Sequence, residues 1–219
     1  MVYEPHDGGH LADVSAPRSA EVTETAFEGA VWDVTRESFR MGPGGDRLVR
    51  EFIRHPGAVA ILALDDQDRV RMIRQYRHPV GQELWEIPAG LLDVPGESML
   101  AAAQRELAEE ADLVAGRWDV LVDFYTTPGS SSERIRVFLA RDLGEVPEGE
   151  RHERTGEEAG MPMAWVPVTE AVEAVLAGGV HNPATAMGLL ALQAHAARGF
   201  EDLLPADAPW RGPEPAGAP

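Results

Sequence analysis

The chain has 219 residues and a formal net charge of −18, with 19 basic and 37 acidic side chains and no cysteine. That charge works against nonspecific binding to nucleic acid or to an anionic membrane, and the absence of thiols excludes disulfides, thiolate catalysis and zinc–thiolate centres. No apolar run approaches membrane-spanning length and the opening residues are polar and acidic rather than a hydrophobic signal, so a cytoplasmic protein with one sizeable core is expected.

In chain order, residues 1–20 read as a tail rich in Pro, Gly, Ala and charge; strands fill 21–57, the main domain covers 58–204, and a second flexible tail runs over 205–219. Strands are expected at Val31–Phe39, Leu48–His55, Ala58–Leu64, Val70–Tyr76 and Glu83–Ile87, separated by the turn-forming strings GPGGD, HPG and DDQD. Trp32 could stack on a base, but a lone strand tryptophan is more often core, because large aromatics dominate burial. Val59–Leu64 is apolar throughout and reads as a central strand. A helix follows over Ser98–Ala111, where Leu100, Ala103, Leu107 and Ala111 recur at three- and four-residue steps, with Ser98 able to cap its start. Two more strands are expected at Asp119–Tyr125 and Arg134–Ala140, a third at Met163–Val168, and helices at Thr169–Ala177 and Asn182–Arg198. Strands, one helix, strands and then helices make an α+β sandwich. The seven histidines show no ligand spacing and take no role.

The first helix carries the chemistry. Glu106 and Glu110 lie one turn apart on one face, with Glu109 beside them. Carboxylates so close repel one another unless a cation sits between them, and oxygen ligands suit a hard ion such as Mg2+, which takes one or two carboxylates together with substrate phosphates. Arg105, four residues before Glu109, is expected to hold that glutamate and leave Glu106 and Glu110 for metal. Glu97 lies more than two turns before Glu106 and is expected to brace the preceding loop.

The segment Pro88–Leu113, PAGLLDVPGESMLAAAQRELAEEADL, resembles the signature of the Nudix hydrolases, a glycine followed at set spacing by a glutamate and then by Arg-Glu-apolar-any-Glu-Glu-any-Gly-apolar. Gly90, Glu97, Arg105, Glu106, Leu107, Glu109, Glu110 and Leu113 match it. Gly90 and Glu97 are separated by six residues where the pattern has five, and Asp112 stands where the pattern has glycine, which asks aspartate for a left-handed helix end. The resemblance runs from about Val31 to Arg198 and implies an αβα sandwich with a mixed β-sheet.

Three further segments, QYRHP at Gln75–Pro79, LWEIPAGLLD at Leu84–Asp93 and TTPGSSSERIRV at Thr126–Val137, resemble the branch of that family that cleaves ADP-ribose. The resemblance implies substrate contacts from Arg77, Glu133 and Gly90. It also implies a homodimer in which N-terminal strands cross to the partner and bring Arg50 and Glu51 to the substrate. It implies two or three Mg2+ ions, with Mn2+ as the alternative, held by Glu106, Glu110 and the carbonyl of Ala89, with Arg105 and Glu109 in the catalytic group. The acidic loop HERTGEEAGM, His152–Met161, would supply the general base, Glu157 first and Glu158 second. Hydrolysis of ADP-ribose to AMP and ribose 5-phosphate is the activity implied. The alternatives are another nucleoside diphosphate sugar as substrate, or a regulatory module that binds ADP-ribose without cleaving it.

Overall fold

The run Ala58–Ala63 contains no polar side chain, so as a strand it belongs in a sheet covered on both faces. The computed structural model describes residues 11–156 and 159–211, and in it this run is the fourth strand, β4 (Ala58–Ala63), buried at every residue. Val59, Ile61 and Ala63 join one core, while Ala58, Ala60 and Leu62 join another across the sheet. With β7 (Ala89–Leu91), β8 (Leu113–Tyr125), β9 (Arg134–Glu145) and β11 (Leu204–Pro205) it forms a five-stranded sheet in the order β11-β8-β9-β4-β7. The sheet is mixed: β4 runs parallel to β9, and its other pairings are antiparallel.

Two antiparallel sheets complete the strands. One is β10 (Met163–Pro167), β5 (Arg69–Arg77) and β6 (Gln82–Glu86), with β5 central. The other is β1 (Ala20–Phe27), β2 (Asp33–Arg40) and β3 (Arg47–Arg54). Ile53 ties this N-terminal sheet to the body, its N–H donating to the Ser130 carbonyl at 2.9 Å and its carbonyl accepting from Ser132 N at 2.9 Å.

The helices make the outer layers. In α1 (Met99–Ala111) the Ser98 Oγ accepts from Ala101 N at 3.1 Å, and Ala102, Ala103, Leu107 and Ala111 pack on Val59, Ile61 and Phe138. The helix ends on Asp112 in the left-handed conformation, φ 56 and ψ 33, as the missing glycine demanded. On the opposite face α2 (Val168–Leu176) and α3 (Pro183–Ala196) bury Ala171, Val172, Leu189 and Leu192 against Leu62, Val137 and Leu139. This is the α+β sandwich of three layers expected from the sequence. Among the described residues no helix is long and apolar enough to cross a membrane.

Several elements differ from the sequence reading. β1 begins at Ala20, eleven residues before the first expected strand; it is exposed along its whole length, so hydropathy offered no buried face to find. Trp32, expected in the core, sits in the turn between β1 and β2 and is 41% exposed. β8 starts at Leu113, straight from the helix end, and β9 continues to Glu145. The expected tail after 205 is docked as far as Trp210. Leu204, Ala206 and Ala208 pack on the α1 core, Arg136 donates to the Ala208 carbonyl, and the Trp210 ring meets Tyr125 at 5.7 Å. Small apolar residues interleaved with Pro and Asp imitate a linker in sequence although alternate positions are packed.

Candidate active site

Ile87, Pro88 and Ala89 cross from one sheet to another, and buried hydrogen bonds fix that crossing. The Thr185 hydroxyl, fully buried at the start of α3, accepts from Ile87 N at 3.0 Å and donates to Asn182 Oδ1 at 3.1 Å. The Pro88 carbonyl accepts from Ile61 N at 2.7 Å. The signature glycine therefore enters β7 at a set height beside α1.

Gly90 explains its own identity. A Cβ at this position would lie 2.0 Å from both Cδ and Oε1 of Glu106, so the glutamate carboxyl occupies the space a side chain would fill. One helical turn on, Glu110 is only 5% exposed and its Oε2 accepts from Ala89 N at 2.8 Å. Ala89, Gly90, Glu106 and Glu110 are thus brought together between β7 and α1, and two withdrawn carboxylates there call for positive charge.

Arg105 supplies part of that charge, in a different way from that expected. Its main partner is Glu97, with Nε to Oε1 at 3.1 Å and Nη2 to Oε2 at 2.9 Å. Its third nitrogen, Nη1, donates to Glu106 Oε1 and reaches Glu109 Oε2 at 3.4 Å. The expectation that Arg105 would serve Glu109 and leave Glu106 alone is corrected, because the loop turn closed by Glu97 N on the Val94 carbonyl returns Glu97 to the helix flank. The hydrogen bond from Arg105 holds the Glu97 carboxyl below its usual range, and the same bond raises the guanidinium above its own. Glu97 braces the loop through the arginine that also touches Glu106.

Among the described residues no three His, Cys, Asp or Glu side chains form a metal cluster of their own. Two carboxylates and a backbone carbonyl nevertheless fit Mg2+, which uses one or two protein carboxylates and completes its shell with water and substrate phosphate. The cradle at Gly90 and the withdrawal of Glu106 and Glu110 from water are consistent with that donor set.

The other predicted residues that the structure describes lie on other elements. Arg77 makes a two-pronged pair with Glu86 at 2.9 and 2.7 Å; Glu86 is 1% exposed while Arg77 keeps 41% of its side chain in solvent. Glu133 accepts from Thr126 Oγ1 at 2.6 Å and lies 3.5 Å from His55 Nε2. His55 is turned by Gly57 N, which donates to its Nδ1 at 3.0 Å, so the neutral ring presents Nε2–H toward Glu133. Arg136 is committed to Asp123 at 2.8 and 2.7 Å. Arg50 and Glu51 sit on β3 in the N-terminal sheet, apart from the strand that carries Ala89 and Gly90; Glu51 pairs with Arg36 at 2.6 Å. Glu157 and Glu158 lie outside the described residues.

Three contributors escaped sequence reasoning: Glu86, His55 and Thr185. Glu86 carried a readable signal, since a charge inside the apolar run LWEIPAG must find a cation when the strand is buried. The others act across more than forty residues of sequence or through one hydroxyl, and no local pattern marks them.

A NUDIX domain model matches residues 54–186. An ADP-ribose pyrophosphatase of Mycobacterium tuberculosis is 47% identical over 188 residues, covering 86% of this chain and 88% of that protein. An ADP-ribose pyrophosphatase of Bacillus subtilis is 35% identical over 170 residues, covering 78% of this chain and 89% of the relative. A solved ADP compounds hydrolase has the same fold, with a TM-score of 0.66 at 22% identity, covering 86% of this chain and 99% of that one.

Proposed function

The chain belongs to the NUDIX family, and we propose that it hydrolyses the diphosphate of ADP-ribose to AMP and ribose 5-phosphate at the site between β7 and α1. The observation that carries this reading is the clasp of Gly90 on Glu106 and of Ala89 on Glu110, which puts two carboxylates and a backbone strand at one point. The substrate is supported by the two relatives named ADP-ribose pyrophosphatases, and Arg77 and Glu133 are each held by a partner of their own.

In the reaction a water oxygen attacks one phosphorus of the diphosphate, the bond to the bridging oxygen breaks, and the leaving phosphate keeps the electron pair. When bound by Glu106, Glu110 and the Ala89 carbonyl, two or three Mg2+ ions, or Mn2+ in their place, would acidify a water and offset charge on the phosphate oxygens. Arg105, clamped by Glu97, fixes Glu106 and bears on Glu109. Glu157 takes the proton from the attacking water, with Glu158 as the second choice. Arg77, held by Glu86, and Glu133, held by Thr126 and His55, orient the substrate, while Gly90 gives the glutamate and the ligand room. Arg50 and Glu51 complete the pocket from a second copy, so the working unit is a homodimer.

AMP release from ADP-ribose, set beside ADP-glucose and GDP-mannose with Mg2+ and with chelator, tests this. Metal-dependent cleavage favouring ADP-ribose is expected; preference for a hexose conjugate would reassign the substrate, and binding without cleavage would make the protein a sensor. Glu110→Gln keeps an acceptor for Ala89 N and loses the charge, so it should abolish turnover with the fold intact. An unchanged rate would overturn the metal assignment.

A further inference from the structure

A second cleft lies where α1 ends, just past Glu110. Residues Ala111, Asp112 and Leu113, the N-terminal part of β5, the facing part of β10 and residues 143–145 and 151 enclose a cleft of about 410 Å3. That volume is within the range of small-molecule pockets. Arg71, in the cleft, and Arg77, proposed to contact substrate, are six residues apart on β5, or roughly 20 Å at the usual rise of a strand.

The lining alone balances, Asp65, Asp112 and Glu145 against Arg69, Arg71 and Arg151. Arg154, which pairs with Asp112 from outside the lining and acts on Arg71, brings the neighbourhood to four arginines against three acids. Asp65 is taken by Arg69 at 2.7 Å, Glu145 by Arg151 at 3.3 Å and Asp112 by Arg154 at 2.8 Å. Arg71 is left over. Its Nη2 donates to the thioether of Met163 at 3.4 Å, a weak acceptor, and among the described residues it has no carboxylate partner. The Nε atoms of Arg71 and Arg154 and Oδ1 of Asp112 are buried with no hydrogen-bond partner. The Trp165 ring, with Arg71 at 5.4 Å and Arg69 at 5.6 Å, holds the guanidinium in place without neutralising it. Burial pulls Arg71 below the usual arginine range; Asp112 and Glu145 act in the opposite sense, and Arg154 adds to the depression. A surplus guanidinium, half withdrawn from water on a chain of net charge −18, is poorly explained as structure, because uncompensated buried charge destabilises and is retained where it binds something.

We propose that this cleft is an anion site for a phosphate group, with Arg71 as its principal ligand and Arg154 beside it. The planar guanidinium fork matches a phosphate edge in two-pronged fashion, and backbone or carboxylate groups already occupy the other arginines. Inorganic phosphate and a phosphate monoester such as AMP share the chemistry. The site is independent of the diphosphate centre, so it stands or falls separately from the activity proposed above.

Calorimetric titration of the full chain with inorganic phosphate and with AMP, in chelator and on a Glu110→Gln background, reads this site apart from the metal centre. Saturable binding is expected, weakened about tenfold or more by Arg71→Gln and weakened less by Arg71→Lys, which keeps the charge and loses the fork. Tighter binding of AMP than of phosphate would identify a monoester as the ligand, and equal binding the free anion. Phosphate should also raise the thermal midpoint of the parent and not that of Arg71→Gln, which reports the site even if the variant is altered in stability. Absence of binding by either ligand, or Arg71→Gln binding as the parent does, would overturn the proposal.

Discussion

At Gly90 one added carbon decides whether the site assembles. The backbone there is outside the left-handed region, so alanine is tolerated by the chain itself, and the whole conflict falls on the Glu106 carboxyl 2.0 Å away. Gly90→Ala should therefore lower kcat/KM by about 100-fold, the usual effect of a displacement near 1 Å, while the melting temperature changes little. Steady-state AMP release beside a thermal melt checks it; full activity would detach Glu106 from the chemistry. His55 provides a second test. Burial lowers its pKa below the ordinary 6.5, and the neighbouring Glu133 only partly opposes this. With the folded value below the unfolded one, the associated stability is complete above pH 6.5 and declines as pH falls through the folded value. The melting temperature should drop on acidification from neutral pH, and His55→Gln should flatten that slope. Asp202, held at about 2 by His195 and Arg198, titrates outside this window. The paired carboxylates were legible because Glu106 and Glu110 follow helical spacing. Their partners were less so: Arg105 prefers Glu97, eight residues away around a loop, over the i,i+4 glutamate that periodicity singles out.

Elements place these residues, and the crossing from β6 to β7 is the least redundant of them. Its Ile87 N–H is buried and depends on the Thr185 hydroxyl of α3. Thr185→Val keeps the shape and removes the acceptor, so it should cost about 1–3 kcal/mol in urea unfolding, the penalty for an orphaned buried donor. Because Ala89 lies two residues on, activity should fall with it; a neutral result would mean that Pro88 and Ile61 hold the crossing alone. Helix α1 was readable end to end, from the Ser98 cap to the Asp112 terminus, since both ends and the apolar stripe are local signals. β4 was readable for the same kind of reason, a polar-free run that only a central strand accommodates. β7 and β11 were not: one is three residues across a glycine and the other two residues ending in proline, and each is a strand only because a longer neighbour is there to pair with it. Short strands carry no period of their own.

The whole molecule is strongly acidic, and its N-terminal sheet carries about its share by length. Residues 20–54, the N-terminal sheet, hold seven acidic side chains and five arginines, a balance of −2 on a chain of −18. This sheet and its first turn also expose Val22, Phe27, Trp32 and Val49 at 44, 58, 41 and 49%, while the ion pairs Arg36–Glu51 and Arg40–Glu21 are solvated and contribute little. Three strands with so little apolar burial are marginal by themselves, and a second copy is the covering that the homodimer reading supplies. Two strongly acidic bodies would then be held together against their mutual repulsion. Sedimentation should give a dimer whose dissociation weakens as salt is added, because screening removes repulsion between the bodies faster than it removes the few exposed pairs within the sheet. An interface built on complementary charge would respond in the opposite sense. Phe27→Glu with Val49→Glu should yield a folded monomer with raised KM for ADP-ribose, since Arg50 and Glu51 would no longer reach a partner's site. A parent chain that sediments as a monomer, or a monomeric variant with unchanged KM, would remove the second copy from the proposed pocket.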